Sequence, residues 1–288
     1  MAMGFDTRGD KLWMNGKIID WTDANVHVLT HGLHYGSSVF EGTRAYGGKM
    51  FKLSEHNERL LKSAKILGFE IPYSLDELNA ACEEAVEAEG HPTCYVRPIA
   101  WCGSNKMAVD RDGIDVHVAV ATWDMGNYFA DKMRGLKLCI ADWRRPDPVT
   151  APHDAKAAGL YMICSMSKSA AQAKGCDDAL MLDWRGQVAE GTGANIFFIR
   201  DGAIHTPTPD CFLDGITRRT VIGLARDKGL EVIERAIMPE ELPTFSEVFF
   251  TGTAAEVTPV RQIEDIQYQV GQITHGLAED YDRLVNGK

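Results

Sequence analysis

What the chain lacks narrows its biology first. Its seven cysteines are scattered, with no CxxC pair among them. An odd, dispersed count points to reduced thiols in a cytoplasm rather than to a disulfide framework. No apolar run approaches the roughly 20 residues of a membrane span, and the opening MAMGFDTRGD lacks the charged-then-apolar order of a signal peptide. The expectation is a soluble, cytoplasmic protein. Basic residues are outnumbered: 30 Lys and Arg stand against 41 Asp and Glu, a formal net charge of −11. That balance argues against nucleic acid or an anionic membrane surface as the main partner. It also gives no long-range pull on an anionic substrate, so any carboxylate must be held by local donors. A full GxGxxG at a strand–helix turn is missing, which makes a nicotinamide dehydrogenase the weakest reading. Internal repeats and low-complexity segments are absent as well.

What is present is ordinary globular material. The chain has 288 residues, 45% of them hydrophobic and 25% charged. That length favours two domains over one core. In the first half, Asn15-Gly16 and Gly47-Gly48 each sit between apolar residues and read as hairpin turns. A helix is predicted from Ser54 to about Leu67, with Leu60, Leu61, Ala64 and Leu67 on one face and Gly68 as its stop. Ser74 and Glu77 form a capping-box pattern for a second helix ending near Gly90. TCYVRPIAW and IDVHVAVATW read as strands. In the second half, LKLCIADW, DALMLDW, ANIFFIR, LEVIERAI and EVFFTGT read as strands, and RRPDPVTAPHD as a proline-rich loop. Helices are expected at Tyr161–Lys174, at Thr217–Lys228 and at the C-terminus. The grouping predicts an α+β fold. Residues 1–123 would form a smaller N-terminal domain, 124–135 the interdomain loop and 136–288 a larger C-terminal domain.

Several residues carry candidate chemistry, each with a bland alternative. Lys156 lies in AKAAGLY, read as an alanine-rich helix start, where a lysine is ordinarily solvated. Its small neighbours would leave room for a planar cofactor, and a desolvated lysine of lowered pKa can form an imine with an aldehyde. Glu190, ahead of Gly191 and Gly193, is either a solvated strand-end carboxylate or the partner of a cofactor's pyridine nitrogen. DGITRR runs straight into a helix, so Gly215, Ile216 and Thr217 offer unpaired backbone N–H groups to a phosphate or form a plain helix start. TGT at 251–253 offers more donors. Tyr95 and Arg97 alternate in CYVRPI and share a strand face, where they can bind a carboxylate or simply face water. His27, His31 and His34 have helix-like spacing, but LT and GL between them do not read as helix and no acidic ligand accompanies them, so no metal is expected.

Taken together, the motifs resemble the fold-type IV pyridoxal phosphate enzymes, and most closely the branched-chain amino acid aminotransferases. The resemblance runs nearly end to end, through VHVLTHGLHYGSSVFEG (26–42), HNERLLKSAKILGF (56–69), CYVRPIAW (94–101), AKAAGLY (155–161), VAEGTGANIFF (188–198), DGITR (214–218) and TGTAAEVTPV (251–260). It implies a D-amino acid aminotransferase-like fold with an N-terminal α/β sandwich and a C-terminal pseudo-barrel. It also implies pyridoxal 5'-phosphate as cofactor and amino transfer between leucine, isoleucine or valine and 2-oxoglutarate. On this resemblance Lys156 holds the aldehyde and moves the proton, Glu190 faces the pyridine nitrogen and Tyr161 the ring oxygen. Arg59, Ile216, Thr217 and Thr253 hold the phosphate. Tyr95, Thr253 and Ala254 anchor the substrate carboxylate, with Arg97 supporting that anchor and the distal carboxylate of glutamate. Phe40, Trp123 and Tyr128 resemble the side-chain pocket, and Tyr35 and Val109 the residues that enter it from a neighbouring subunit, which implies a homodimer. D-amino acid aminotransferase and aminodeoxychorismate lyase share the cofactor motifs, and a non-catalytic cofactor-binding protein is a further alternative.

Overall fold

The computed structural model describes residue 5 and residues 8–126 and 131–288. The chain divides into two compact units, 1–126 with 155–159, and 127–154 with 160–288. Among the described residues no helix is long and apolar enough to cross a membrane.

In the first unit the order is β1 (Lys11–Met14), β2 (Lys17–Asp20), α1 (His31–Tyr35), β3 (Ser38–Phe40), β4 (Thr43–Tyr46), β5 (Lys49–Met50), α2 (Leu53–Ile66), α3 (Leu75–Glu89), β6 (Cys94–Cys102) and β7 (Val116–Trp123). The strands make one sheet in the order β2-β1-β7-β6-β4-β5, with β3 also on β6. Both expected hairpins form, and their turn residues Asn15, Gly16, Gly47 and Gly48 all take positive φ, as tight two-residue turns require. The capping box at Ser74 and Glu77 is present, and Gly90 ends α3 in the left-handed region.

Strand alternation sorts this sheet into two faces. Val96, Ala100 and Cys102 of β6, with Val118 and Val120 of β7, pack with Leu60 and Ala64 of α2 and Leu78, Ala81, Cys82 and Ala85 of α3 in one core. The intervening residues of β6, Tyr95, Arg97 and Ile99, point the other way. The register places Trp123 opposite Tyr95 and Phe40 opposite Ile99, so both share that second face. The expectation for His31 and His34 needs correcting: HGLHY is a short helix after all. The Nε2 of His31 lies 2.8 Å from the Ala108 carbonyl and that of His34 lies 2.9 Å from the Val28 carbonyl.

The second unit contains β8 (Leu136–Ile140), α4 (Tyr161–Ala173), β9 (Asp178–Leu182), β10 (Val188–Gly191), β11 (Asn195–Arg200), β12 (Ala203–Thr206), α5 (Ile216–Asp227), β13 (Val232–Glu234), β14 (Glu247–Gly252), β15 (Glu256–Ile263), β16 (Ile266–Gln267) and α6 (Gln272–Val285). Its sheet runs β10-β9-β8-β15-β14-β11-β12-β13, and β10 also pairs with β11. That extra pairing closes β10, β9, β8, β15, β14 and β11 into a ring, a barrel with β12 and β13 as an extension. Leu138, Leu180, Ile196, Phe198, Val248, Phe250 and Val260 fill one side at alternate positions. On the other side Phe197 and Phe249 stack with centroids 4.9 Å apart.

Strand β15 has no counterpart in the expectations, which treated TGTAAEVTPV only as a polar cluster. Pro259 argues against a central strand, because it donates no ladder hydrogen bond. The structure accommodates it opposite Phe249, beside a register shift between Val260 and Gln262 on the β8 side. LEVIERAI is extended over three residues only. All seven cysteines are buried and without disulfides.

Candidate active site

Lys156 is placed differently from expectation. It does not start a helix but precedes a 3-10 turn at Ala158–Leu160, with α4 beginning only at Tyr161. Its position comes from three backbone contacts in the first unit. The Lys156 N–H donates to Ser63 Oγ at 2.9 Å. The Phe40 N–H donates to the Lys156 carbonyl at 3.1 Å. Ala157 bridges Val39. The lysine is half-buried, and its Nζ lies 5.1 Å from the Phe40 ring centroid. Burial first, then the Arg59 and Arg97 guanidinium groups, push its pKa below the ordinary lysine value, against the opposing pull of Glu41 and Tyr95.

The second face of the β6–β7 sheet gathers four of the expected substrate residues. Arg97 donates from Nη2 to the Tyr95 hydroxyl at 3.1 Å. Its guanidinium carbon lies 4.7 Å from the Phe40 centroid, 5.1 Å from that of Tyr95 and 5.8 Å from that of Trp123. Its Nε is buried and has no hydrogen-bond partner among the described residues. An aromatic wall with one arginine in it results. Gly42 makes this possible: a Cβ there would lie 1.8 Å from the Tyr95 hydroxyl. Tyr128 lies outside the described residues. Tyr35 and Val109 are exposed, at 45% and 78%. The His31–Ala108 contact brings their two segments together.

Arg59 carries a partner that the sequence reading missed. Its Nε and Nη2 donate to the two oxygens of Glu41 at 2.6 and 3.0 Å, and His56 Nδ1 contacts Glu41 Oε2 at 2.7 Å. Glu41 follows Phe40, already a candidate, and His56 and Arg59 stand three apart on one helix face, but no local pattern ties the glutamate to that helix.

In the second unit Glu190 is buried, with 9% of its surface exposed. Asn195 Nδ2 donates to its Oε2 at 3.1 Å and to the Leu213 carbonyl at 3.0 Å. Arg145, itself buried, brings its Nε to 3.5 Å from Glu190 Oε1. Burial works most strongly against the Arg145 cation, but Glu190, with Cys164, Tyr161 and Cys211 adding to it, leaves its pKa raised. Neither Arg145 nor Asn195 was expected. Asn195 was readable as the one polar residue opening the apolar run IFF; Arg145, inside a proline-rich loop, left no signal. A Cβ on Gly215 would meet Asn195 Oδ1 at 2.2 Å, so only glycine fits where α5 begins. No side chain caps α5, because its N-cap residue is Gly215; Asp214 just before it accepts from Arg218 at 2.8 Å. Ile216 and Thr217 are buried at that helix start. Thr253 and Ala254 lie in the turn between β14 and β15, and Thr251 Oγ1 just before them is buried without a hydrogen-bond partner among the described residues.

The first unit offers an amine disfavoured as a cation; the second offers a buried carboxylate held in place and a helix start open to an anion. Residues 38–263 match the family model for amino-transferase class IV. A probable branched-chain-amino-acid aminotransferase of Rickettsia felis is 41% identical over 95% of both chains. Among solved structures, the branched-chain aminotransferase of Thermoproteus uzoniensis with norvaline is similar at a TM-score of 0.93 and 42% identity, covering 97% of this chain and 95% of that one. The branched-chain amino acid aminotransferase of Thermobaculum terrenum in its PLP-form is similar at a TM-score of 0.88 and 31% identity, over 97% of this chain and 94% of that one. The architecture is therefore the α+β, fold-type IV arrangement that the motifs implied, and the chain belongs to the class IV aminotransferase family.

Proposed function

We propose that this chain transfers the amino group of L-leucine, L-isoleucine or L-valine to 2-oxoglutarate with pyridoxal 5'-phosphate as cofactor, giving branched 2-oxo acids and L-glutamate. The observation that carries the reading is the face around Lys156: an amine disfavoured as a cation, over Phe40, beside Arg97 set among Tyr95 and Trp123. Such a face takes an apolar side chain against its rings and a distal carboxylate against its guanidinium. One methylene more or less changes binding by about 1–3 kcal/mol, so all three branched substrates fit the same wall.

The residues present suit the cofactor. A carboxylate held by Asn195 and facing Arg145 matches a pyridine nitrogen. The uncapped start of α5 and the unpartnered Thr251 hydroxyl match a phosphate. In this reading Lys156 holds the aldehyde, Glu190 opposes the ring nitrogen and Tyr161 donates to the ring oxygen. Arg59, Thr217, Thr253 and the amide of Ile216 hold the phosphate. When bound, pyridoxal phosphate withdraws electrons from the bonds at the substrate Cα. With the cofactor bound, Lys156 would move the proton between the substrate Cα and C4′, as general base and then as general acid. Tyr95 and the backbone of Thr253 and Ala254 anchor the substrate carboxylate, and Arg97 steadies Tyr95.

The reading includes a homodimer in the cytoplasm. Val28, Leu33, Tyr35 and Val109 are exposed at 45–78%, a run of apolar surface that a second copy would cover, with Tyr35 and Val109 reaching its pocket. Seven buried thiols without a disulfide suit a reducing compartment. The test is an absorbance titration with L-leucine and then 2-oxoglutarate. The visible band should be lost and then restored. A band that leucine leaves unchanged but D-alanine or aminodeoxychorismate discharges overturns the substrate assignment.

A further inference from the structure

Phe40, Glu41 and Gly42 are consecutive, and extended chain sends neighbours to opposite sides. Phe40 faces Lys156 and Arg97, and Gly42 leaves space for the Tyr95 hydroxyl. Glu41 turns instead toward α2 and is wholly buried. Its oxygens accept from Arg59 at 2.6 and 3.0 Å, with His56 at 2.7 Å. The Gly42 N–H adds a contact at 3.2 Å. Burial, with Arg59 adding to it, lowers the His56 pKa despite Glu41. The imidazole is therefore neutral and donates from Nδ1, and the cluster holds one carboxylate against one guanidinium. A carboxylate taken fully out of water is costly, and an apolar residue would stabilise the fold as well. The amino-transfer chemistry uses neither Glu41 nor His56, so fold and reaction leave the pair unexplained.

Its geometry points to a role. Two-pronged pairing fixes the plane of a guanidinium, not merely its location. Glu41 is also the carboxylate that offsets Arg59 and Arg97 near Lys156. Resting on the proposed pyridoxal phosphate chemistry, we infer that Glu41 is a positioning residue of the cofactor site, setting the plane of Arg59 for the phosphate and tempering the cationic field at Lys156.

The experiment uses Glu41→Gln, Arg59→Met and the double variant, stripped of cofactor and titrated with pyridoxal 5'-phosphate. Each single change should weaken binding at least about tenfold, equivalent to about 1.4 kcal/mol. The double variant should bind no worse than Arg59→Met, because Glu41 acts through Arg59; losses that multiply overturn the inference. In loaded Glu41→Gln the pH midpoint of the visible band should fall, since a negative charge favouring the protonated form of the Lys156 nitrogen is gone. A midpoint that stays put while thermal stability drops would leave Glu41 a structural residue only. Should Glu41→Gln not fold, cofactor-free Arg59→Met decides. Glu41 would then be buried without its cation and its pKa raised above the unfolded value. Stability would be present at acid pH and lost as pH rises through the raised pKa, opposite in sign to the parent; a parent-like profile overturns the inference. If the parent protein takes up no pyridoxal phosphate, the amino-transfer reading fails, while these cofactor-free profiles still judge the Glu41–Arg59 coupling.

Discussion

Asn195 Nδ2 donates to Glu190 Oε2 at 3.1 Å, and these same two residues are the register pair at which β10 meets β11 to close the barrel. The carboxylate assigned to the cofactor is thus fastened at the seam of its own scaffold. Asn195 also reaches the Leu213 carbonyl and crowds Gly215 at the start of α5. One amide therefore couples the carboxylate to the helix start proposed for the phosphate.

Asn195→Ala should strip both acceptors of a buried donor and cost about 1–3 kcal/mol. Urea unfolding of the cofactor-free protein measures this. Cofactor affinity should fall with it, and a variant as stable and as tightly loaded as the parent would remove Asn195 from this role.

Glu190→Ala should leave the aldehyde able to attach at Lys156 but slow the Cα proton transfer severely. Single-turnover absorbance with leucine follows that step directly. A near-normal rate would count against Glu190 as the partner of the ring nitrogen.

Lys156→Ala should abolish turnover and the visible band. Lys156→Met probes the same amine without any cofactor. Because the folded pKa lies below the unfolded value of 10.5, the unfolded chain binds the extra proton and parent stability rises with pH across that window. Relative to the parent, the variant should be more stable at neutral pH, and its advantage should shrink as pH approaches 10.5. Parallel pH profiles would show that the amine is not desolvated.

Arg97→Ala should harm glutamate more than leucine, since only glutamate brings a distal carboxylate to the aromatic wall. The comparison is kcat/KM for the two amino donors. Equal losses would place Arg97 in support of Tyr95 alone.

Gly42→Ala should displace the Tyr95 ring, because the new methyl would overlap its hydroxyl. A misplacement of about 1 Å can cost about a hundredfold in rate. The loss should exceed that of Tyr95→Phe, which keeps the ring in place.

Much of this was legible in the sequence because it rests on local rules. The turns at Asn15-Gly16 and Gly47-Gly48 need positive φ, the Ser74–Glu77 box satisfies helix amides, and period-two alternation puts Tyr95 and Arg97 together. Residues that lay in recognisable motifs, Lys156, Arg59 and Glu190 among them, could be named as candidates from their wording. What escaped depends on distant partners. Nothing near Glu41 in sequence announces a pairing with Arg59, 18 residues away. Arg145 meets Glu190 from a proline-rich loop. Strand β15 hid behind Pro259, whose local preference is overruled by the neighbours on either side. Lys156 was misread as helical because alanine-rich wording favours helix, whereas β3 and α2 hold its backbone extended.

The β6–β7 ladder, with Tyr95 opposite Trp123 and Arg97 opposite Ala121, works like a two-sided comb. Of its odd teeth, Tyr95 and Arg97 face the proposed site while Ile99, Trp101 and Ala119 pack with Leu12, and its even teeth Val96, Ala100, Cys102, Val118 and Val120 pack against the helices. Sliding β6 by a single tooth would turn Val96 and Pro98 toward the proposed site and drive a guanidinium into the packed helices. Misalignment here is therefore self-punishing: the mispaired protein forfeits its interior along with its activity, so an inactive impostor cannot accumulate as a stable species.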